Sequence, residues 1–470
     1  MSDEYDVIVI GAGPAGENVA DRAVRGGLSA VIVEERLAGG ECSYWACIPS
    51  KALLRPVELA AEVSRVPGLE TTPIDTRAVL ARRDEAVSGY DDAGQVRWVE
   101  SVPAAFVRGR GRLDGPRRVV VDLPGGGERV LTARHAVVLA TGSVASVPPV
   151  PGLREAQPWT SHEVTAATSV PGRLAVIGGG VVGCEMAQAM HGLGARRTTM
   201  LVRGGGLLDR MEPFAGELLA ESFKESGIDV RLRTGVERVE RPEPGGEVTV
   251  HLSQGPPVVA DEVLVATGRR PATKGLGLET VGLPQDRPVE VDDSLRATGV
   301  ADGWLYAVGD VNGRNLLTHM GKYQGRACGD VIAARAAGAP DDLPAMRASA
   351  DGAGPPQVVF TDPQICSVGR TEAAAREAGF RVRAVEYDLA SVSGAYLLGD
   401  GYRGRAKAVV DEERGVLLGV TFAGPGTAEL LHSATVAVIG EVPLERLWHA
   451  VPSFPTVSEV WLRLLETYGL

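Results

Sequence analysis

The chain has 470 residues, 44% of them apolar, and a formal net charge of −12. That length exceeds a single hydrophobic core and implies two to four domains, and the acidic balance, with no basic surplus to neutralise phosphates, argues against a nucleic-acid partner. No apolar stretch approaches the ~20 residues needed to span a bilayer, the acidic start around Asp3, Glu4 and Asp6 does not read as a signal peptide, and the cytoplasm is the expected compartment.

The first element is residues 5–10, a short β-branched run with the pattern of a buried parallel strand. It feeds Gly11-Ala12-Gly13-Pro14-Ala15-Gly16, a helical stretch through Arg25, and a second strand over 30–33 that ends on Glu34. Strand, glycine-rich turn, helix, strand and acid make up the βαβ dinucleotide-binding unit. Its glycines let the backbone turn tightly and approach a pyrophosphate, whose charge sits on the helix N-terminus. Glu34 can accept hydrogen bonds from ribose hydroxyls, as suits an adenosine without a 2′-phosphate.

The run Gly39-Gly40-Glu41-Cys42-Ser43-Tyr44-Trp45-Ala46-Cys47-Ile48-Pro49-Ser50-Lys51 follows. Five cysteines in the whole chain do not make a disulfide scaffold, and Cys184, Cys328 and Cys366 read as small core residues. Zinc wants four ligands, and no second pair completes such a site. Cys42 and Cys47 read instead as a catalytic dithiol, which needs two sulfurs that can meet and a cation or dipole to favour thiolate. Lys51 and a helix expected from about Pro49 provide both. Tyr44 and Trp45, between the cysteines, read either as local packing or as an aromatic wall shaping an acceptor site.

Short β-rich runs with Gly/Pro turns over 103–140 suggest a meander that ends on Ala140-Thr141-Gly142. The first grammar then returns: a strand over 174–177, Gly178-Gly179-Gly180-Val181-Val182-Gly183, a helix through Leu193, and a strand over 199–202 ending on Arg203. A cation in this position suits a 2′-phosphate, so NADPH is expected and NADH is less favoured. A second meander over 226–266 ends on Ala266-Thr267-Gly268, residues 341–356 read as a linker, and 358–470 reads as a third domain with strands at 406–410 and 416–422.

These motifs, with Ser143, Glu185, Arg269-Arg270-Pro271, Ala307-Val308-Gly309-Asp310 and Val359-Phe360-Thr361-Asp362-Pro363, resemble the flavoprotein disulfide reductases over essentially the whole chain. That family includes glutathione reductase, dihydrolipoamide dehydrogenase and mercuric reductase. The resemblance implies an α/β fold with two Rossmann-like three-layer nucleotide-binding domains and an α+β C-terminal dimerisation domain. The FAD domain would comprise 1–148 and 274–345, the NAD(P) domain 149–273, and the dimerisation domain 346–470. It also implies a homodimer whose active site is completed across subunits. FAD would lie on Gly11, Gly13, Gly16 and Glu34, with the adenine near Gly111, Asp310 on the ribityl chain, and the backbone of Leu317 and Thr318 facing the pyrimidine. Gly40, Thr141 and Gly142 belong to the same cofactor set. Cys47 would be the sulfur nearest the flavin and Cys42 the outer, exchanging sulfur. Lys51 would sit by the flavin in an ion pair with Glu185. NADPH would bind at Gly178, Gly180, Gly183, Arg203 and Gly268.

One departure outweighs the matches. Disulfide-reducing members end with His-Pro-Thr-x-Ser-Glu, whose His is the acid/base for thiol exchange. Here the run is Phe454-Pro455-Thr456-Val457-Ser458-Glu459, and phenylalanine carries no proton. Glu459 keeps its place without the imidazole it would orient. His449 is read as a helix-face residue, and the further Cys pair that ends mercuric reductase has no counterpart in Glu466-Thr467-Tyr468-Gly469-Leu470. General acid/base help is worth ~10²–10⁴ in rate. The expected function is therefore an NADPH oxidoreductase passing electrons through FAD to an acceptor such as a quinone or an unusual disulfide. The alternatives are a dihydrolipoamide dehydrogenase-like enzyme with a substitute base and a non-catalytic flavin-bearing sensor or subunit.

Overall fold

Strand β1 (Glu4–Ile10) buries its last four residues completely, as a continuous apolar run in a parallel sheet must. Helix α1 (Pro14–Arg25) and strand β2 (Ala30–Glu34) complete the first βαβ unit, with β1 and β2 paired in parallel, Val7 to Ala30 through Ile10 to Val33. The computed structural model describes residues 3–340, 346–352 and 354–470. Its contacts divide the chain into two units: Met1–Ile48, Asp84–Val144 and Arg269–Asp351, and Pro49–Arg83, Ala145–Gly268 and Gly352–Leu470.

In the first unit, the strand Ala105–Arg108 lies on β2 and the long strand Glu128–Leu139 lies on the other side of β1. The expected meander is present as antiparallel pairing of Arg110–Leu113, Arg118–Asp122 and Glu128–Leu139. Leu305–Ala307 adds a parallel strand to Glu128–Leu139. Two packed layers close the sheet, one built on Val7, Val9, Ile32 and Val138 and the other on Ile8, Ile10, Val31 and Val137.

Helix α1 runs along the helix Thr318–Ala336 with backbone nearly touching backbone. A Cβ on Gly325 would stand 2.4 Å from the Ala15 carbonyl oxygen, and one on Gly329 would stand 2.8 Å from that of Val19. Arg22 and Asp330 tie the pair farther along at 2.6 Å.

Helix α2 (Gly40–Tyr44) and helix α3 (Cys47–Ser64) are separated by Trp45 and Ala46. Helix α3 starts at Cys47, two residues before Pro49. A proline in the first turn surrenders an N–H that has no helical partner anyway, so it does not delay the start. Helices Thr76–Ala86 and Ala93–Ser101 were not anticipated.

The second unit repeats the βαβ pattern with Arg173–Ile177, the helix Val181–Gly192 and Arg197–Leu201, in a parallel sheet ordered Asp229–Arg231, Arg197–Leu201, Arg173–Ile177, Glu262–Val265. A three-stranded antiparallel sheet, Val236–Glu240, Val248–Leu252 and Val258–Ala260, forms the second meander. Its C-terminal part is a five-stranded antiparallel sheet in the order Gln357–Val359, Gln364–Gly369, Val416–Gly424, Arg405–Asp411, Val382–Asp388. The helices Leu431–Ile439 and Val460–Tyr468 pack on it through Ala434, Val438, Leu464 and Leu465. The fold is α/β, with a Rossmann-like parallel sheet in each nucleotide-binding part and an α+β C-terminal part.

Residues 341–345 and 353 of the expected linker lie outside the described residues. What is described there is tied down, since Asp351 accepts hydrogen bonds from Arg314, Asn315 and Gln324. Among the described residues no helix is long and apolar enough to cross a membrane.

Candidate active site

The three glycines of each fingerprint do different work. Gly11 has φ +110°, and a Cβ there would lie 2.4 Å from the Ala140 oxygen; a Cβ on Gly16 would lie 2.0 Å from the Gly11 oxygen. The second fingerprint repeats this, with Gly178 at φ +121° and 2.3 Å from the Ala266 oxygen, and Gly183 at 2.5 Å from the Gly178 oxygen. The outer glycines are thus required by the protein's own packing. The middle ones are not: a Cβ on Gly13 would meet nothing nearer than Gly40 at 4.0 Å, and one on Gly180 would meet nothing within 4 Å. Each forms an open cradle at a helix N-terminus, which fits a pyrophosphate.

Glu34 accepts from the Ala12 N–H at 2.8 Å and the Arg36 N–H at 2.7 Å, and its burial pushes the carboxyl above its ordinary range. Gly111 sits against the side chains of Ile10 and Val33, at the carboxyl ends of β1 and β2 where dinucleotides bind in such sheets. Asp310 accepts from the Ser143 hydroxyl, and burial also pushes its carboxyl up. Arg269 donates to that Ser143 oxygen at 2.7 Å, bonds Glu41, and lies 3.9 Å from Asp310. Sequence reasoning saw Arg269 only as part of a motif. Thr141 donates its hydroxyl to the Ala272 carbonyl, and Gly142 and Gly268 take positive φ with open space around them.

Cys42 lies within α2 and Cys47 opens α3; both are partly buried thiols. The Cys47 sulfur is 3.2 Å from the hydroxyl of Thr318, the first residue of the helix Thr318–Ala336, with Leu317 as its N-cap. Two helix N-termini therefore serve Cys47, and their dipoles favour thiolate there. The hydrogen bond to Cys47, followed by burial, pushes the Cys42 thiol up. Tyr44 is buried and packs at 5.7 Å from Trp45 and 6.5 Å from Tyr90. Trp45 stacks on Tyr90 at 6.2 Å and lies under the Arg36 guanidinium at 4.5 Å.

Glu17, in the first turn of α1, escaped sequence reasoning altogether. Burial pushes its carboxyl up to about 7, opposed by Lys322 and reinforced by Glu34.

In the second unit, Lys51 bonds Glu185 at 2.7 Å, and the Glu185 side chain is only 4% exposed. The other Glu185 oxygen accepts from the Phe360 N–H at 3.0 Å, and the Lys51 ammonium stands 4.8 Å from the centre of the Phe360 ring. Arg203 follows the strand Arg197–Leu201 and is exposed. Beside it, Arg233 donates its backbone N–H to the Gly204 oxygen at 2.9 Å, and its guanidinium would lie 3.7 Å from a Cβ on Gly205. Arg203 and Arg233 thus flank the Gly204-Gly205-Gly206 loop. Arg233 is thirty residues downstream of Arg203, which hid the pairing from the sequence.

Phe454 is 72% exposed. The Glu459 side chain is 8% exposed; Oε1 accepts from Arg463 at 2.6 Å, and Oε2 is buried with no hydrogen-bond partner among the described residues. His449 is exposed in the turn after the helix Leu444–Leu447, not on a helix face.

The profile of the family described as pyridine nucleotide-disulphide oxidoreductase matches residues 5–326, and that of its dimerisation domain matches residues 355–464. A dihydrolipoyl dehydrogenase of Chlamydia muridarum is 31% identical over 469 residues, covering 98% of this chain and 96% of that protein. A mercuric reductase of Shigella flexneri is 34% identical over 479 residues, covering 100% of this chain and 81% of that protein. Among solved structures, the Cu(II) complex of the HOCl-induced flavoprotein disulfide reductase RclA from Escherichia coli superposes with a TM-score of 0.84 at 25% identity, covering 99% of each chain.

Proposed function

The chain belongs to the pyridine nucleotide-disulphide oxidoreductase family and is an FAD-dependent oxidoreductase, and from that premise we propose that it passes two electrons from NADPH to the Cys42–Cys47 pair and on to a quinone or an unusual disulfide. The observation that carries the reading is the pair of Cys42 in α2 and Cys47 at the start of α3, with Thr318 at 3.2 Å from Cys47 and a complete dinucleotide fingerprint in each unit. FAD, when bound, supplies the hydride acceptor and returns electrons in pairs. Gly11, Gly13, Gly16, Glu34, Gly40, Gly111, Thr141, Gly142, Asp310 and the backbone of Leu317 and Thr318 would hold it. Arg269 fixes Ser143 and through it Asp310. Glu185 fixes the Lys51 ammonium, which would supply positive charge to a reduced flavin. Cys47 is the sulfur nearer the flavin, where the helix N-termini favour thiolate, and Cys42 is the exchanging sulfur.

NADPH is favoured over NADH because Arg203 and Arg233 bracket the loop that follows the second strand of the second fingerprint, two cations suited to a 2′-phosphate. Gly178, Gly180, Gly183 and Gly268 complete that site. A dimerisation domain supports a homodimer, whose active site we take to be completed across subunits. Phe454 favours an acceptor that does not depend on a proton from this position. Lipoamide reduction with another base is the second reading, favoured by the dihydrolipoyl dehydrogenase relatives. The test is anaerobic titration of the purified yellow protein with NADPH, followed by an acceptor screen of quinones, lipoamide, glutathione disulfide and Hg²⁺. Flavin bleaching with a long-wavelength thiolate-to-flavin band, absent in Cys47→Ser, is the expected result. A protein that takes up no flavin, or a band that survives Cys47→Ser and vanishes in Cys42→Ser, would overturn it.

A further inference from the structure

We propose that Asp351 and Gln324 are positioning residues for the flavin: Asp351 sets which way the Gln324 amide faces, and Gln324 thereby holds the turn that carries Asp310. The inference deepens the reading above and rests on its placing of FAD at Asp310.

The turn is the short 3₁₀ stretch Gly309–Asn312, which precedes the helix Thr318–Ala336. One side chain holds both of its ends. Gln324, fully buried in the second turn of that helix, accepts the Gly309 N–H at 2.8 Å and the Asn312 side-chain amide at 2.9 Å, both on Oε1. Asp310 lies between these two anchors, with its carboxylate on the Ser143 hydroxyl. The Gln324 Nε2 faces the other way and donates to Asp351, 3.1 Å from Oδ1 and 3.0 Å from Oδ2.

The neighbours leave that amide one orientation. The Gly309 N–H belongs to the backbone and can only donate. Asn312 is fixed as well, because its Oδ1 accepts the Arg314 N–H at 3.0 Å and its Nδ2 also donates to the Ala307 carbonyl at 3.1 Å. It therefore offers Gln324 a donor. An ionised carboxylate only accepts, so two donors on one side and Asp351 on the other decide the direction. Asp351 is itself anchored, with a carboxylate only 6% exposed. Arg314 donates to its Oδ2 at 3.3 Å and Asn315 to its Oδ1 at 3.2 Å. Arg314 is held in turn by the Val291 carbonyl at 2.8 Å and stands 3.7 Å from Asp293.

Stability alone does not call for such a network. An apolar side chain at this place would fill the same space with no polar group to satisfy, and such replacements are often neutral or better. A buried network whose members are all paired instead specifies one arrangement. Here the arrangement specified is that of the backbone on either side of Asp310. Gly309, at φ +73°, also sits on the first fingerprint helix, where a Cβ on it would lie 3.3 Å from that of Ala15. Gln324 belongs to the helix whose first residue, Thr318, touches the Cys47 sulfur. The same amide thus ties the Asp310 turn to the element that meets the inner cysteine.

The test reads two quantities on the purified protein. One is hydrogen–deuterium exchange of peptides spanning Ala307 to Gly313; the other is the Kd for FAD, from flavin fluorescence on dilution of the holoenzyme. Gln324→Glu sets a second carboxylate against Asp351, so exchange should quicken and Kd should rise, each by roughly tenfold. Asp351→Asn lets the Gln324 amide face either way, and each change should be about threefold. Gln324→Glu combined with Asp351→Asn rebuilds the same bonds, since the new carboxylate accepts from Gly309, Asn312 and the new amide. Both quantities should then return to within about threefold of wild type. A double variant no better than Gln324→Glu, or a Gln324→Glu variant that exchanges as wild type does, overturns the proposal. Where Gln324→Glu alone does not fold, the double variant decides: folded protein with wild-type exchange and Kd upholds the proposal, and a loss of about tenfold overturns it. Faster exchange with an unchanged Kd would mean a structural role only, and would overturn the flavin role. If Asp310→Ala also left Kd unchanged, the placing of FAD at Asp310 would be what had failed, and the exchange result would still decide the network.

Discussion

Replacing Glu185 tests the anchoring of Lys51 without any assumption about the acceptor. Its carboxylate is 4% exposed, bonds Lys51 at 2.7 Å and accepts the Phe360 N–H at 3.0 Å. Removing one member of a fully buried ion pair costs about 3–5 kcal/mol. Lys51 is 35% exposed, so its freed ammonium regains water and the loss from the pair falls to about 1 kcal/mol. Glu185→Ala also strands the Phe360 N–H, worth about 1–3 kcal/mol, for a total of roughly 3 kcal/mol. Glu185→Gln keeps an acceptor for that N–H and loses only the charge, about 1 kcal/mol. At roughly 2–4 °C per kcal/mol, calorimetry of the holoenzyme should show Tm lowered by about 6–12 °C in the Ala variant and about 2–4 °C in the Gln variant. Equal melting of both variants, or a Glu185→Ala Tm within about 1 °C of wild type, would show that Glu185 does not anchor Lys51 and Phe360 as described.

Gly16→Ala places a Cβ 2.0 Å from the Gly11 oxygen, so the purified variant should carry little FAD; a full flavin spectrum would refute the packing argument. Arg203→Ala with Arg233→Ala should raise KM for NADPH at least tenfold and leave KM for NADH within about twofold, because only the former carries a 2′-phosphate. Phe454→His should raise lipoamide or glutathione disulfide turnover without loss of stability, since the site is 72% exposed and Glu459 keeps a buried, unpartnered Oε2 to receive the new ring N–H. An unchanged rate would mean that Arg463, bonded to Oε1 at 2.6 Å, has made Glu459 unavailable.

The parts legible in the sequence were those whose constraint is local. A fingerprint glycine answers to a carbonyl five residues away, as Gly16 does to Gly11, and so declares itself within one turn of chain. The Cys42–Cys47 pair and the place of Lys51 followed from the same short run. Distant pairings were not legible. Arg233 comes beside Arg203's loop only because the chain returns through another strand, and Phe360 reaches Glu185 from 175 residues away. Glu17 looked like any polar residue of an amphipathic helix, because its burial is set by what packs around it.

The seam between α1 and the helix Thr318–Ala336 fixes more than a packing distance. Because carbonyl oxygens face bare Cα atoms at Gly325 and Gly329, the two helices have no side-chain cushion between them, and no rotamer change can take up an error in their spacing. The open cradle at Gly13 sits at the head of one helix, and Thr318, touching Cys47, sits at the head of the other. The seam therefore acts as a gauge block, transferring the position of the Gly13 turn to that of the Cys47 sulfur with the tolerance of backbone contact. Glycines that touch no reactant thereby set the register of the chemistry.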